Sequence, residues 1–379
     1  MIRLAVPSIE EDDLQAVRDA LASGYLIQGK RVAAFEKIAA EYVGVKAGVA
    51  VSNCTAALHL ALLALDVRPG DLVVVSAYSW ISTANVIELC GAQPVFVDIE
   101  PDSFNISPER LKGTLDRLMS CASTARRVKA VLPVHVFGQI ADLPSILETA
   151  GRYSVPVVED AACSLGASLR GRQSGSWGAM GCFSFHPRKA VTTGEGGLVA
   201  TGDERLAGTL RALRNHGLDP NASSPDFIMP GFNCRMTEFQ AALGQTQMAK
   251  IDRIIAARRK LADHYNRLFS GTPLKIPAAR LGTESHVYQS YVTLLPDSAS
   301  PARDALIQRL KESGVETAIG TWHMPMTRFF RNRYGYRKGD FPVTDDVFQR
   351  SLALPLFEKM TPDQQKEVAE KVLAAVRRP

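Results

Sequence analysis

The sequence holds no Cys-x-x-Cys pair: its six cysteines, at positions 54, 90, 121, 163, 182 and 234, stand apart, and its seven histidines are scattered. That spacing fits none of the zinc patterns, so no metal site is expected. A chain of 379 residues is also far longer than the small scaffolds that disulfides hold together, and unpaired thiols suit a reducing cytoplasm. Long apolar runs are missing as well. The longest, Ala56–Leu65, is interrupted by His59 and falls well short of the roughly 20 residues a membrane helix needs. The first residues carry no apolar signal core, because the acids of Glu10–Asp13 follow at once. A basic stripe is absent too: 44 Lys+Arg against 39 Asp+Glu leave a net charge of +5, and the basic runs are short and dispersed. Neither a nucleic acid nor a membrane is therefore expected as a partner. No Gly-x-Gly-x-x-Gly follows the early strands, which argues against a nicotinamide-binding fold.

What the sequence does have is alternation. Helical periodicity covers Ile9–Ser23 and Arg31–Val43, the latter with Val32, Phe35, Ile38, Ala39 and Tyr42 on one face. Short unalternating apolar runs then recur at 48–51, 72–75, 94–97, 130–134 and 155–158, as expected of strands buried on both faces. Helical segments at 55–65, 83–91, 107–119 and 143–153 separate them. This order predicts an α/β fold with a mostly parallel central sheet flanked by helices. Further strands are expected at 183–185 and 198–201. Helical composition over Met236–Phe269 predicts either one long bridging helix or two helices. We place a domain boundary near Lys250, giving a large unit (1–250) and a smaller α+β unit (251–379). In the smaller unit, strands are expected at 286–295 and 316–320 and helices at 302–313 and 361–378.

Three segments carry chemistry. In Phe183–Gly197, Lys189 follows an apolar strand bearing Ser184 and precedes Thr192-Thr193 and the Gly194-Glu195-Gly196-Gly197 turn. A lysine held in such a pocket can lose its charge and attack a carbonyl, while a lysine beside a Gly-rich turn also fits a phosphate site. In Val155–Ala167 a buried run ends in Glu159-Asp160. This is the strand end where ligands bind in open α/β sheets. Side chains alternate along a strand, so only one of the two carboxylates can enter a site, and either could be a turn residue. In Val51–Leu58 a strand runs into a helix whose first turn can hold a phosphate, with Thr55 as ligand or simply as N-cap. Trp80 follows the next strand, as a flat face for a ring or as core.

Taken in order, these segments resemble the sugar aminotransferases of the DegT–StrS group, which are fold-type I pyridoxal phosphate enzymes, from about Pro7 to Leu373. The likeness rests on Ser23–Val32, Thr55–Leu62, Gly91-Ala92, Glu159-Asp160-Ala161, the Ser184…Lys189…Gly194–Gly197 block, Gly231–Glu238 and Leu352–Phe357. It implies pyridoxal 5'-phosphate as cofactor. Lys189 would form the Schiff base and shuttle the proton, and Asp160 would pair with the ring nitrogen. Trp80 would stack on the ring, and Thr55, the Ala56 amide and Ser184 would hold the phosphate. Asn233 implies a homodimer with shared sites, and His323 resembles residues that reach the sugar. The implied substrates are a nucleotide-linked keto-sugar and an amino-acid donor, with glutamate expected. A keto-cyclitol acceptor and a regulatory protein that binds the cofactor without turnover are the alternatives. Histidine replaces the lysine in related sugar dehydratases, an outcome Lys189 argues against. Two departures stand out: Cys54 where the family has glycine, and Cys163 where it has histidine or glutamine.

Overall fold

The computed structural model describes residues 1–219, 222–279, 281–297 and 303–377. Seven short strands form the centre of the large unit: β1 (Ala47–Val51), β2 (Leu72–Ser76), β3 (Gln93–Val97), β4 (Val128–Leu132), β5 (Val158–Asp160), β6 (Met180–Ser184) and β7 (Gly197–Thr201). Hydrogen bonding orders them β3-β2-β4 and β5-β6-β7-β1, and the bridges Val131–Val157 and Val134–Asp160 join the two groups between β4 and β5. All pairings are parallel except the two made by β7.

The absence of alternation in the strand sequences has a direct cause. Val49, Val51, Val73, Val75, Ala130 and Leu132 enter a core with the helices Cys54–Ala64, Ser82–Leu89 and Glu204–Arg214. Their neighbours Ala50, Leu72, Val74 and Val131 enter cores on the opposite side, with helices Lys30–Val43, Pro108–Met119, Leu143–Gly151 and Glu238–Met248. Both faces are apolar because both are covered.

The long helical stretch is two helices, Glu238–Met248 and Ile251–Phe269, broken at Ala249-Lys250. Lys250 sits in the break with its Nζ 2.7 Å from Asp13 Oδ2 and 2.6 Å from Asp12 Oδ1, which ties the break to the first helix, Glu11–Ala22. The second helix passes between cores: Ile251, Ile254 and Ile255 pack with the large unit, and Leu261, Ala262, Tyr265 and Phe269 with the small one.

In the small unit, β8 (Tyr291–Leu294) and β9 (Ala318–Ile319) flank β10 (Ser351–Leu354) in an antiparallel sheet. Helices Arg303–Glu312 and Pro362–Arg377 cover it. The ends of the two expected helices at Ala302 and Arg378 lie outside the described residues. Ile2 joins this core too, bridging to Val315. The strand expected at 286–295 forms only over β8. Tyr288 has φ +48°, and its carbonyl and that of Gln289 turn instead to the buried Arg258 guanidinium at 3.3 and 3.2 Å. Across the units, Tyr78-Ser79 pairs antiparallel with Trp322-His323. Among the described residues no helix is long and apolar enough to cross a membrane.

Candidate active site

The pairing registers place the chemistry-bearing segments at one sheet edge. Val51 faces Gly197, Gly197 faces Ser184, and Cys182 faces Asp160. The edge is the carboxyl end of β1, β5 and β6, where an open α/β sheet binds ligands. Gly197 is required there: a Cβ would lie 2.5 Å from the Asn53 carbonyl carbon and 2.7 Å from the Cys54 nitrogen. Its missing side chain lets β7 pass directly beneath the start of helix Cys54–Ala64.

Asp160 is buried in this edge. Its Oδ2 accepts from Thr83 Oγ1 at 2.7 Å and its Oδ1 from the Ala162 amide at 3.2 Å, while Thr83 Oγ1 also lies 2.9 Å from Ser79 Oγ. Burial pushes its pKa up, against the Thr83 hydroxyl, the Ala162 amide and the positive charge of Lys189. A cation brought against its free lone pairs would offset that burial. Glu159 points the other way. Its carboxylate accepts from the amides of Gly175, Trp177 and Gly178, each at 2.7 Å. His135 Nε2 lies 2.9 Å from Glu159 Oε2, and the Ala141 amide donates to His135 Nδ1, so Nε2 carries the proton toward Glu159.

Lys189 lies in the turn after β6, closed by its own amide donating to the His186 carbonyl at 2.8 Å. Its Nζ donates to Cys163 Sγ at 3.1 Å. Burial works against the ammonium, but Cys163, Cys54 and Asp160 outweigh it and hold the lysine pKa above its ordinary value. The two threonines that follow serve the loop: Thr192 Oγ1 donates to the Phe185 carbonyl at 2.9 Å, and Thr193 Oγ1 to the Glu195 carbonyl at 2.6 Å.

At the helix start, Asn53 rather than Thr55 is the N-cap: its Oδ1 accepts from the Ala56 amide at 2.9 Å. The Ala56 amide is thus already partnered, and a phosphate here would meet the remaining first-turn amides and the exposed Thr55 hydroxyl. Ser184 is half-buried across from Gly197. Cys54, in the glycine position, turns a buried thiol into the wall, where burial and then Asp160 push its pKa far up, so it is no reactive thiol. Trp80 is 62% exposed, so it is not core.

Two expected residues fall outside this cluster. Asn233 is exposed on a segment that runs beside β1, where the Ser52 amide donates to the Cys234 carbonyl at 2.8 Å. His323 is 3% exposed, with Phe341 and Phe348 edge-on at 5.9 and 6.3 Å and Asp345 at 3.2 Å. Its enclosed ring does not open to a sugar, whereas the adjacent Trp322 is exposed. Thr83 and Asn53 carried no signal beyond being polar residues at a helix start. Glu238, in contrast, explains two of the sequence motifs at once: its buried carboxylate accepts from the Gly29, Arg31 and Val32 amides at 2.9, 3.0 and 2.9 Å.

A cleft lined by Arg188, Gln289, Ser290, Ile319 and Gly320 separates the lysine turn from the small unit. Gln289 Nε2 spans to the Arg188 carbonyl at 3.0 Å.

A buried carboxylate with unused acceptor capacity, a lysine at the same strand edge, and a free helix start define the site of a pyridoxal phosphate enzyme, and the residues present fit that cofactor. Comparison agrees: residues 7–373 match the DegT/DnrJ/EryC1/StrS aminotransferase family, and the chain belongs to it. The GDP-perosamine synthase of Caulobacter vibrioides is 39% identical over 83% of both chains. The spore coat polysaccharide biosynthesis protein SpsC of Bacillus subtilis is 35% identical over 97% of this chain and 95% of its own. The crystal structure of the aminotransferase TlmJ from Streptoalloteichus hindustanus superposes with a TM-score of 0.89 at 30% identity, covering 99% of this chain and 98% of that one. The chain is a pyridoxal phosphate-dependent aminotransferase.

Proposed function

We propose that this aminotransferase moves an amino group from an amino acid, with glutamate as donor, to the keto carbon of a nucleotide-linked sugar. The observation that carries the reading is the meeting of Lys189 and Asp160 at one sheet edge, in a chain akin over most of its length to a GDP-perosamine synthase. When bound, pyridoxal phosphate supplies an aldehyde that carries the amino group and a ring that takes up the electrons of a broken C–H bond. Lys189 would hold the cofactor through Nζ, and the same nitrogen would carry the proton from the donor carbon to the other side of the transfer. Asp160, oriented by Thr83 and the Ala162 amide, would hold a proton on the ring nitrogen. Thr55, Ser184 and the first-turn amides beside Ala56 would hold the phosphate, and Trp80 would offer a flat face. The cleft beside Arg188 and Gln289 admits the substrates, with Trp322 rather than the enclosed His323 facing the sugar.

The partner reading is a homodimer in which Asn233 completes the neighbour's phosphate site. Exposed Tyr25 and Ile27, on the segment Glu238 clamps, and Phe232, beside Asn233, support a second copy covering this region. The reading divides the chain near Lys250, with Ile2 counted in the smaller unit. A cytoplasmic setting suits its six free cysteines.

The test is a screen of nucleotide-linked keto-sugars with glutamate, following the amino-sugar by mass. Turnover of keto-cyclitols alone would replace the sugar reading. For the shared site, a Lys189→Ala chain mixed with an Asn233→Ala chain should regain activity, because a mixed dimer holds one intact site. No recovery after proven subunit exchange would place Asn233 within its own chain's function.

A further inference from the structure

Cys163 is the only hydrogen-bond partner of the Lys189 amine among the described residues, with Sγ 3.1 Å from Nζ. No carboxylate among the described residues is within ion-pair range of that nitrogen, and Asp160 is engaged with Thr83 and Ala162. The other thiols nearby, Cys54 and Cys182, are buried and donate to nothing in the site. Cys163 itself is half-buried, in the segment after β5 that leads away from Asp160, so it approaches the lysine from the strand opposite the one that carries it. A methyl at this place would leave the amine without a partner.

We propose that Cys163 is a positioning residue for Lys189. It receives the amine whenever the lysine is not covalently engaged, and so keeps Nζ aimed at the place where it must attack. In that step the nitrogen forms a bond to the cofactor's aldehyde carbon, and the aldehyde oxygen departs as water with the two protons of the amine. The sulfur takes no covalent part; it shortens the search of a four-carbon side chain for one geometry. The amine in turn, when protonated, places a positive charge beside the thiol, and a cation there raises the thiol's reactivity. Charged or titratable groups facing the pair are Asp160, Cys54 and, beyond the lysine turn, His186.

The inference rests on the aminotransferase chemistry and not on the identity of the sugar, so both measurements use only the protein, pyridoxal phosphate and a thiol reagent. In the first, pyridoxal phosphate is added to cofactor-free protein and the growth of the yellow lysine-linked form is timed. Loss of one modest hydrogen bond should make Cys163→Ala about three- to tenfold slower than wild type, and Cys163→Ser should recover to within about twofold. In the second, Cys163 of cofactor-free protein is labelled with N-ethylmaleimide and quantified by peptide mass. Lys189→Met keeps the bulk but removes the charge. It should label Cys163 about threefold or more slowly, whereas the exposed Cys121 is unchanged. Attachment at the wild-type rate in Cys163→Ala overturns the proposal. So does a slowing that Cys163→Ser fails to relieve, which would assign the effect to packing, and so does unchanged labelling in Lys189→Met. The labelling arm leaves Cys163 in place, and decides alone if Cys163→Ala does not fold.

Discussion

Glu159 and Asp160 are adjacent on one short strand, equally buried and chemically alike, yet they do different work. Glu159, on the far side of β5, is saturated by three backbone amides and a histidine. Asp160, on the site side, accepts only from Thr83 and Ala162. A carboxylate offers about four acceptor positions, so Asp160 keeps capacity for a ligand and Glu159 has none. Burial alone does not distinguish a functional carboxylate from a structural one; unspent hydrogen-bonding capacity does.

Substitutions can break that contrast. The largest effect is expected from Lys189→Ala, which removes the nucleophile and proton carrier: turnover should fall by roughly four orders of magnitude or more and the yellow colour should be lost. A coloured, active variant would remove Lys189 from the chemistry. Asp160→Asn should keep the fold and cofactor but lose about 100- to 1,000-fold in turnover, since a neutral amide cannot hold a protonated ring nitrogen. Glu159→Gln should do the reverse. With an amide group set against backbone donors, stability should drop by about 3 kcal/mol in denaturant titration, while the turnover of the folded fraction stays near wild type. If Glu159→Gln is folded and inactive while Asp160→Asn turns over normally, the two roles are exchanged. Thr83→Val sharpens the comparison, because it leaves both carboxylates in place. One hydrogen bond to a charged group is lost, so turnover should fall about tenfold and Thr83→Ser should recover it.

Much of this was readable in the sequence, and the physical reason differs by region. The strands of the large unit were legible because burial on both faces leaves an uninterrupted apolar run. Lys189 and the Glu159-Asp160 pair stood out because each follows such a run. The choice between the two carboxylates was not legible: it depends on which side of β5 holds Thr83 and which holds the loop 175–178, a tertiary fact. β10 went unrecognised as a strand, although its residues lie in one of the family motifs, since four residues between a helix and Pro355 carry little periodicity. Asn53 lost to Thr55 as cap for a similar reason, because both are good caps two residues apart and only the backbone decides. The sequence left one helix or two open over Met236–Phe269, and Ala249-Lys250, having neither glycine nor proline, did not decide between them.

The smallest expected effect concerns that break. Burial pushes the Asp13 pKa up, but Lys250, Thr246, the Glu10 amide and Gln247 together outweigh it and hold it below its ordinary value; Asp12 and Asp13 in turn raise the Lys250 pKa against its own burial. The Asp13 contribution is therefore complete above the ordinary carboxylate range and is lost as pH falls through the folded value. The Lys250 contribution is complete below the ordinary lysine range and is lost as pH rises through its folded value. Lys250→Met should lower the melting temperature by a few degrees near neutrality. The gap should narrow in acid, as Asp13 takes up a proton in the variant. A gap that widens in acid would contradict the assigned pairing.

Helix Ile251–Phe269 gives its first turns to one core and its last turns to the other. At 1.5 Å per residue it is a rod of roughly 28 Å, and neither core is complete without it. One helix thus joins the two cores. Heating should melt them in a single cooperative step, and a cavity carved at Tyr265 should weaken cofactor retention at a site it does not touch.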